Sequence, residues 1–187
     1  MDTIKDDPLV LSVREYIKSY MSHYDASHSY DHIQRVEALA RRLYAESPAK
    51  ETVDPKVVLL SALLHDVGDR KYLQPGEDAT TMVRDILVQR GASEQLATKV
   101  QTICLGVSYS SEVKDPARVQ ALVQTYPELA IVQDADRLDA IGAVGLGRMF
   151  TFGGAKTGRN MDDSMDHVDE KLLRLEGMMK VSRFVKC

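Results

Sequence analysis

The feature that most restricts the fold of this chain is the pair His65 and Asp66, which lies in a largely apolar run over residues 60–67. An ionised carboxylate in such a run is costly unless it is paired or binds a metal. The run follows an Asp-Pro dipeptide, a strong helix start because Asp caps the helix and Pro occupies the first turn without losing a hydrogen bond. We therefore predict a helix that begins at Pro55, carries the pair and ends near Gly68.

Most of the remaining chain shows the 3.6-residue period of amphipathic helices, and few segments alternate with period two. The helices predicted in this way span residues 8–21, 30–45, 55–68, 78–89, 94–105, 117–124, 127–141 and 164–179. A further helix is predicted within the glycine-rich segment 142–154, segments 70–77 and 106–116 are predicted loops, and 156–163 is predicted to be mobile. The class is therefore all-α. Without a linker or an internal repeat, we predict one domain over residues 1–187, with a core from about 24 to 180.

Composition excludes several classes of protein. The net charge of -4 offers no basic field for a nucleic-acid polymer. No apolar run approaches the roughly 20 residues of a membrane-spanning helix, and the acidic N-terminus lacks the apolar segment of a signal peptide. Cys104 and Cys187 lack metal-type spacing and favour a reducing compartment. We expect a cytoplasmic protein with a small-molecule partner and no membrane partner.

Other polar residues fall where helices would carry them into the same core. His32 lies on the apolar stripe of the second predicted helix, and Asp134 and Asp136 follow an apolar run in a later helix. Facing helices of a bundle can each project one polar side chain into a shared site. Two imidazoles and two carboxylates suit Mn, Fe, Co, Ni or Zn, with open positions for water or substrate. The alternatives are that His32 is a satisfied core histidine and that His65 and Asp66 bind backbone groups.

The order of these residues resembles a known family. His32, then His65 and Asp66, then Asp136 is similar to the His…His-Asp…Asp signature of the HD-domain metal-dependent phosphohydrolases. The local sequences that match are residues 29–36, 63–69 and 134–142. The resemblance covers about residues 28–180 and is greatest to small single-domain members, some of which hydrolyse nucleoside triphosphates to the monophosphate and pyrophosphate.

The resemblance implies an HD-type helical bundle that holds one divalent transition metal. The implied ligands are His32, His65, Asp66 and Asp136. Asp136 is preferred over Asp134 because the Ala-Asp-Arg-Leu string places the ligand just before Arg137, with Asp134 as the alternative. Members with two or three metals carry additional histidines, and none lies between His65 and His167 here. Mn²⁺ is the expected ion, with Ni²⁺, Co²⁺, Fe²⁺, Zn²⁺ and Mg²⁺ as alternatives.

Roles for residues near the ligands follow from the resemblance and from the need for cations beside phosphate. The catalytic candidates are Asp69, which would act on the attacking water, and Arg70. The substrate-binding candidates are His28, Arg35, Lys71, Arg137, His167 and Lys171. For the arginines and Lys71, the alternative is a solvated surface charge or a structural ion pair. For Asp69 it is a surface carboxylate at a helix end, and for His167 and Lys171 it is a side chain that faces solvent.

The activity implied is the hydrolysis of a nucleoside triphosphate to the monophosphate and pyrophosphate by metal-activated water. The alternatives are a nucleoside monophosphatase or cyclic phosphodiesterase of the same fold, and a nucleotide sensor without catalysis. The sequence leaves open the base and sugar preference, the bond that is cut, the native metal and whether the protein forms a homodimer.

Overall fold

The computed structural model describes residues 1, 4, 6–48 and 50–181. Every regular element within those residues is helical, which confirms the all-α class. The helices are α1 (Pro8–Tyr20), α2 (Tyr30–Glu46), α3 (Pro55–Leu64), α4 (Met82–Gln89), α5 (Glu94–Val107), α6 (Tyr109–Lys114), α7 (Pro116–Thr125), α8 (Glu128–Asp139), α9 (Gly142–Phe152) and α10 (Met161–His167). A π-helical turn, Val168–Leu172, continues α10. Across these described helices, none combines the length and apolarity that crossing a bilayer requires. Cys187 lies outside the described residues.

Helix α3 is the centre of the hydrophobic core. All of its residues from Val57 to Leu64 are buried. A helix that is apolar on every face has to be surrounded, and α3 packs against α1, α2, α5 and α8. Helices α2 and α8 also pack against each other. The three segments predicted to carry metal ligands therefore meet in one place.

The start of α3 agrees with its prediction. The Asp54 carboxylate accepts hydrogen bonds from the backbone N–H groups of Lys56, at 2.8 Å, and Val57, at 3.4 Å. Pro55 occupies the first turn, where no intrahelical partner is lost. This capping fixes the register of the helix and therefore the direction in which its last residues point.

The end of α3 differs from its prediction. The helix stops at Leu64, and the following residues form tight turns in which Val67 donates to the Leu64 carbonyl at 3.0 Å. Gly68, where we predicted the helix to end, has a φ of 79° and closes these turns. His65 and Asp66 therefore lie just past the helix. Adjacent helical residues point about 100° apart, and His65 keeps helical backbone angles, with a φ of -60° and a ψ of -28°, so the two side chains can share only a partner that lies between them.

Three other segments also differ from prediction. The expected loop 106–116 contains the end of α5 and the whole of α6, because the Ser108 hydroxyl accepts from the Ser111 N–H at 3.1 Å and caps a new helix. Helix α4 begins at Met82, since the Asp78 side chain instead stabilises a turn over residues 78–81. The segment 156–163, predicted to be mobile, contains the end of a π-helical turn and the start of α10.

Replacement of Gly68 by alanine should be more costly than the same change at Gly91. Both glycines have positive φ, 79° and 85°, which costs a residue with a Cβ about 1–2 kcal/mol. A Cβ at Gly68 would also lie 3.1 Å from the Ala79 backbone, whereas a Cβ at Gly91 would meet no described atom within 4 Å. Chemical denaturation should show a loss of about 1 kcal/mol of unfolding free energy for Gly91→Ala and about 2–3 kcal/mol for Gly68→Ala. Equal losses would contradict this account of the turn.

Candidate metal centre

His32 lies in the first turn of α2 with its side chain 1% exposed. Its Nδ1 is 2.7 Å from Oδ2 of Asp139, which lies at the end of α8. A carboxylate can only accept, so Nδ1 carries the proton and donates it. The Nε2 atom is left with an unshared lone pair that points away from Asp139, into the space between α2 and α3.

His65 is oriented by the end of α3. Its Nδ1 is 2.8 Å from the Ala62 carbonyl oxygen, which only accepts, so this nitrogen also donates. The Nε2 atom then faces Nε2 of His32 at 3.2 Å. Each ring thus donates from Nδ1 to an oxygen, and the two Nε2 atoms face each other.

Two carboxylates complete the cluster. Asp66 places Oδ2 at 3.3 Å from Nε2 of His32 and Oδ1 at 3.4 Å from Nε2 of His65. Asp136, on α8, places Oδ1 at 3.6 Å and 3.7 Å from the same two nitrogens. The Asp136 side chain is 27% exposed, whereas both histidine side chains are 1% exposed. The cluster therefore opens to solvent on the Asp136 side.

The donor set fits a divalent transition metal. The four side chains direct two imidazole nitrogens and two carboxylates at one another, and Oδ2 of Asp66 is buried without a hydrogen-bond partner among the described residues. Buried acceptors without donors are costly, and a cation between them removes that cost. The set of two nitrogen and two oxygen donors is typical of Mn, Fe, Co, Ni or Zn sites. His32, His65 and Asp66 alone already form a group with metal-ligating geometry.

The protonation of the ligands follows from their proximity. Burial lowers the pKa of His65, but the Asp66 and Asp136 carboxylates outweigh burial and raise the pKa to about 9. Burial raises the pKa of Asp66, but His65 and His32 outweigh it and hold the pKa well below its usual range. In the metal-free protein, a proton on His65 therefore takes the place of the cation.

Asp139 is enclosed by cations and by His32. Arg35 donates to it twice, from Nε at 2.6 Å and from Nη2 at 3.0 Å. Arg148, on α9, lies 3.1 Å from Oδ2 of Asp139 and also donates to the Ser27 carbonyl at 2.8 Å. Burial raises the pKa of Asp139, but His32 and Arg35 outweigh it and lower the pKa. Asp139 is thus an ionised carboxylate that fixes the ring orientation and tautomer of His32.

Neither arginine predicted to bind substrate is free to turn toward the cluster. Arg35 is held by Asp139, as described above. Arg137 is buried and donates to Glu112 and, at 2.7 Å, to the Met178 carbonyl. The residue that follows a ligand on a helix points about 100° away from it. Their contacts are those of structural ion pairs, the alternative stated for both residues, and a role in substrate binding stays a prediction for each.

Asp134 and Asp136 have separate environments. Asp134 is buried and accepts from the backbone N–H groups of Lys180, at 2.8 Å, and Val181, at 2.6 Å. It therefore anchors the segment after α10, while Asp136 faces the two histidines. The preference for Asp136 as the ligand agrees with this placement.

The catalytic candidates lie in the turn after the ligand pair. Asp69 accepts from the Lys71 N–H at 2.9 Å, and its other carboxylate oxygen lies 3.3 Å from the Lys71 ammonium. Arg70 is exposed, and no described residue makes a hydrogen bond or ion pair with it. The contacts of Asp69 are compatible with either a catalytic or a turn-stabilising role, so both assignments stay predictions.

Four of the substrate-binding candidates, His28, Lys71, His167 and Lys171, interact with one another or with the cluster. His28 lies 3.3 Å from the Lys71 ammonium and edge-on to Phe152. Burial lowers the pKa of Lys171, and Lys71 lowers it further, while Asp136 raises it. Burial also lowers the pKa of His167, and Lys171 lowers it further. Lys171 therefore interacts electrostatically with Lys71, His167 and the Asp136 carboxylate.

Sequence reasoning missed Asp139 and Arg148. Asp139 follows Asp136 by three residues and Arg35 follows His32 by three, so each pair shares one helix face. That spacing could have identified Asp139, because α2 and α8 pack with these faces together. No comparable pattern marks Arg148, whose contact depends on how α9 folds back over α8.

Comparison with known proteins agrees with this geometry. The family model for the HD domain matches residues 29–141. The uncharacterised protein YpgQ of Bacillus subtilis is 34% identical over 173 residues, which cover 89% of this chain and 78% of YpgQ. The chain therefore belongs to the HD-domain family, and the prediction of that family is confirmed.

Solved structures show the same fold. The crystal structure of YpgQ in complex with ADP aligns with a TM-score of 0.68 and 33% identity, over 92% of this chain and 81% of that one. An HD-superfamily hydrolase from Bacillus thuringiensis aligns with a TM-score of 0.61 and 29% identity, over 91% and 82% of the two chains. This chain thus has the fold of HD-superfamily hydrolases.

Asp139→Asn should weaken metal binding because an amide can donate to Nδ1 of His32 and move the ring proton to Nε2. Loss of such an orienting partner typically costs about 10- to 100-fold in metal affinity. Asp134→Asn is the matched control, since it alters a buried carboxylate on the same helix outside the cluster, and should change affinity by less than about threefold. Competition of Mn²⁺ with a fluorescent chelator measures both. Equal losses would contradict the role of Asp139.

Metal uptake should depend on pH through His65. Because its pKa is raised to about 9, the metal-free protein carries the proton at neutral pH, and the ion displaces it. Affinity should rise by about tenfold per pH unit as the pH approaches about 9 and level off above that pH. Calorimetric titration in two buffers of different ionisation enthalpy should show close to one proton released per Mn²⁺ ion at about pH 7.5. Binding without proton release would show that His65 is neutral.

Proposed function

We propose that this protein is a metal-dependent phosphohydrolase that acts on nucleotides and cleaves a nucleoside triphosphate to the monophosphate and pyrophosphate. The observation that carries the proposal is a cluster of four metal-ligating side chains that opens toward lysine ammonium groups. His32, His65, Asp66 and Asp136 would hold the ion, with Mn²⁺ as the ion that we expect.

A divalent ion held there supplies Lewis acidity to a phosphoryl group and to water. The protein supplies the surrounding charge. Lys71 and Lys171 both lower the pKa of His167, and their ammonium groups would attract phosphate oxygens. Asp69, beside Lys71, would orient the attacking water and take its proton.

Support for a nucleotide ligand comes from the relative and from the charge distribution. YpgQ has been crystallised with ADP. Its alignment covers most of both chains, so a related ligand is a reasonable first probe here. Two ammonium groups would form ion pairs with the oxygens of a polyphosphate, whereas they would form none with a neutral substrate. We therefore favour a substrate with at least two phosphates.

A screen of nucleotides with Mn²⁺, Mg²⁺, Co²⁺ and Ni²⁺, in which the products are resolved by chromatography, tests the proposal. We expect pyrophosphate and a nucleoside monophosphate. His65→Ala and Asp66→Ala should each lose the bound metal and lower kcat/KM by more than about a hundredfold. His23→Ala is the matched control, because this exposed histidine lies outside the cluster and its removal should change neither property.

Other results would point to the alternatives. Release of inorganic phosphate from a nucleoside monophosphate, or of a linear product from a cyclic nucleotide, would show that this protein catalyses one of the alternative reactions instead. A nucleotide that raises the melting temperature without any product would indicate a sensor. Full activity of the metal-free protein would overturn the proposal.

A further inference from the structure

A chain of short hydrogen bonds runs from Asp25 to Lys71 along the edge of the metal centre. The Ser27 hydroxyl lies 2.5 Å from Oδ1 of Asp25 and 2.6 Å from Nδ1 of His28. The other ring nitrogen of His28, Nε2, lies 3.3 Å from the Lys71 ammonium. Tyr72 joins the same network, since its hydroxyl lies 2.5 Å from Oδ2 of Asp25. The direction of each hydrogen bond can be assigned from the two ends.

The Asp25 end fixes the direction on one side. Burial raises the pKa of Asp25, but hydrogen bonds from Ser27 and Tyr72 outweigh it and lower the pKa, so the group is a carboxylate at neutral pH. A carboxylate only accepts, and both hydroxyl protons are therefore given to Asp25. The Ser27 and Tyr72 oxygens are left as acceptors, and Nδ1 of His28 must donate to them, at 2.6 Å and 3.1 Å.

The Lys71 end requires the same direction as long as the ammonium stays at this position. An ammonium group only donates, so Nε2 of His28 must accept and cannot carry a proton. Burial lowers the pKa of His28 to about 4, which leaves one proton on the ring at neutral pH. Both ends thus require the tautomer of His28 that is protonated on Nδ1.

The position of the Lys71 ammonium is set by the groups that receive its protons. One N–H is directed to Nε2 of His28 and a second to Oδ2 of Asp69 at 3.3 Å. The Phe152 ring, 5.4 Å from the ammonium nitrogen, closes another side. An ammonium has three donors, so one remains for a ligand. The Lys71 side chain is 47% exposed, and this donor is accessible.

We propose that Asp25 and Ser27 are positioning residues, which set the tautomer of His28 so that His28 holds the Lys71 ammonium ready to donate to a phosphate group of the bound nucleotide. The identity of the ligand rests on the function proposed above, whereas the direction of the hydrogen bonds does not. With the opposite tautomer, an N–H of His28 would face the ammonium and displace it. Neither Asp25 nor Ser27 needs to touch the ligand for this effect.

The tautomer is measured directly by two-bond ¹H–¹⁵N correlation spectra of the histidine side chains in the metal-free protein. We expect His28 to be protonated on Nδ1 in the wild type and to shift toward a mixture of tautomers in Ser27→Ala, where the acceptor at 2.6 Å is lost and the Tyr72 hydroxyl, at 3.1 Å, still accepts from Nδ1. Tyr24→Phe is the matched control, because it removes a hydroxyl that bonds to Tyr20, from a half-buried ring stacked on Tyr72 at 3.9 Å between centroids, and leaves the hydrogen bonds from Asp25 to Lys71 in place. A wild-type ring protonated on Nε2 would overturn the proposal even if Ser27→Ala failed to fold.

The consequence for the ligand is tested by calorimetry with ADP and Mn²⁺. Ser27→Ala should weaken ADP binding by about three- to tenfold, the usual range for one hydrogen bond. It should have no further effect in a Lys71→Ala background, because the positioned group is then absent. Tyr24→Phe should bind ADP as the wild type does. Additive losses in the double variant would overturn the link between Ser27 and Lys71.

The two proposals fail in distinguishable ways. If the wild type neither binds nor hydrolyses any nucleotide while His28 has the expected tautomer, the nucleotide function fails and the hydrogen-bond assignment stands. If nucleotides are hydrolysed but Ser27→Ala changes neither the tautomer nor the affinity for ADP, the function stands and the positioning role fails.

Discussion

The hydrogen bond between His32 and Asp139 is the contact on which the metal centre depends. It joins the first turn of α2 to the last residue of α8 across 107 positions of sequence, at 2.7 Å and out of contact with solvent. Burying a carboxylate is costly unless its lone pairs are satisfied, and here Arg35 and Arg148 complete its partners. The same contact decides which nitrogen of His32 is available to a metal. One pair of side chains therefore orients two helices and sets the chemistry of a ligand.

Much of the fold and of the candidate centre follows from local sequence. The 3.6-residue period is a property of each segment by itself, so the helical class and the start of α3 can be predicted without knowledge of packing. His32, His65, Asp66 and Asp136 are likewise recognisable from short strings around them. Their convergence requires only that α2, α3 and α8 share a core.

What could not be predicted depends on contacts between distant segments. The ion pairs of Arg35 and Arg137 are formed with residues 104 and 25 positions away, so proximity in sequence to a ligand was a poor guide to their direction. The early end of α3 depends on the close approach of Gly68 to Ala79. Asp25 and Ser27 have no motif of their own, and their connection to Lys71 becomes visible only when the turn after α3 is placed against the loop before α2.

Negative and positive side chains are separated in the candidate metal centre. Acceptors are concentrated at the buried end, where Asp66 and Asp136 face the histidines, and cations are concentrated at the open end. Lys71 and Lys171 repel each other, and this repulsion contributes to the lowered pKa of Lys171. A bound cation would offset the negative charge at the buried end, and a bound anion would offset the positive charge at the open end. Binding of one should therefore favour binding of the other.

The distance along the chain between the ligands has a consequence for folding. The candidate ligands at positions 32, 65, 66 and 136 come from α2, the turn after α3 and α8, and bringing them together requires loop closures that are entropically unfavourable until the core forms. Partly folded chains without docked α8 lack a complete coordination set. An ion that binds only the finished centre stabilises the native state by mass action, by about 4 kcal/mol at a free concentration about 1,000 times its Kd. Cellular metal supply would then govern how much of this protein is folded as well as how much of it is active.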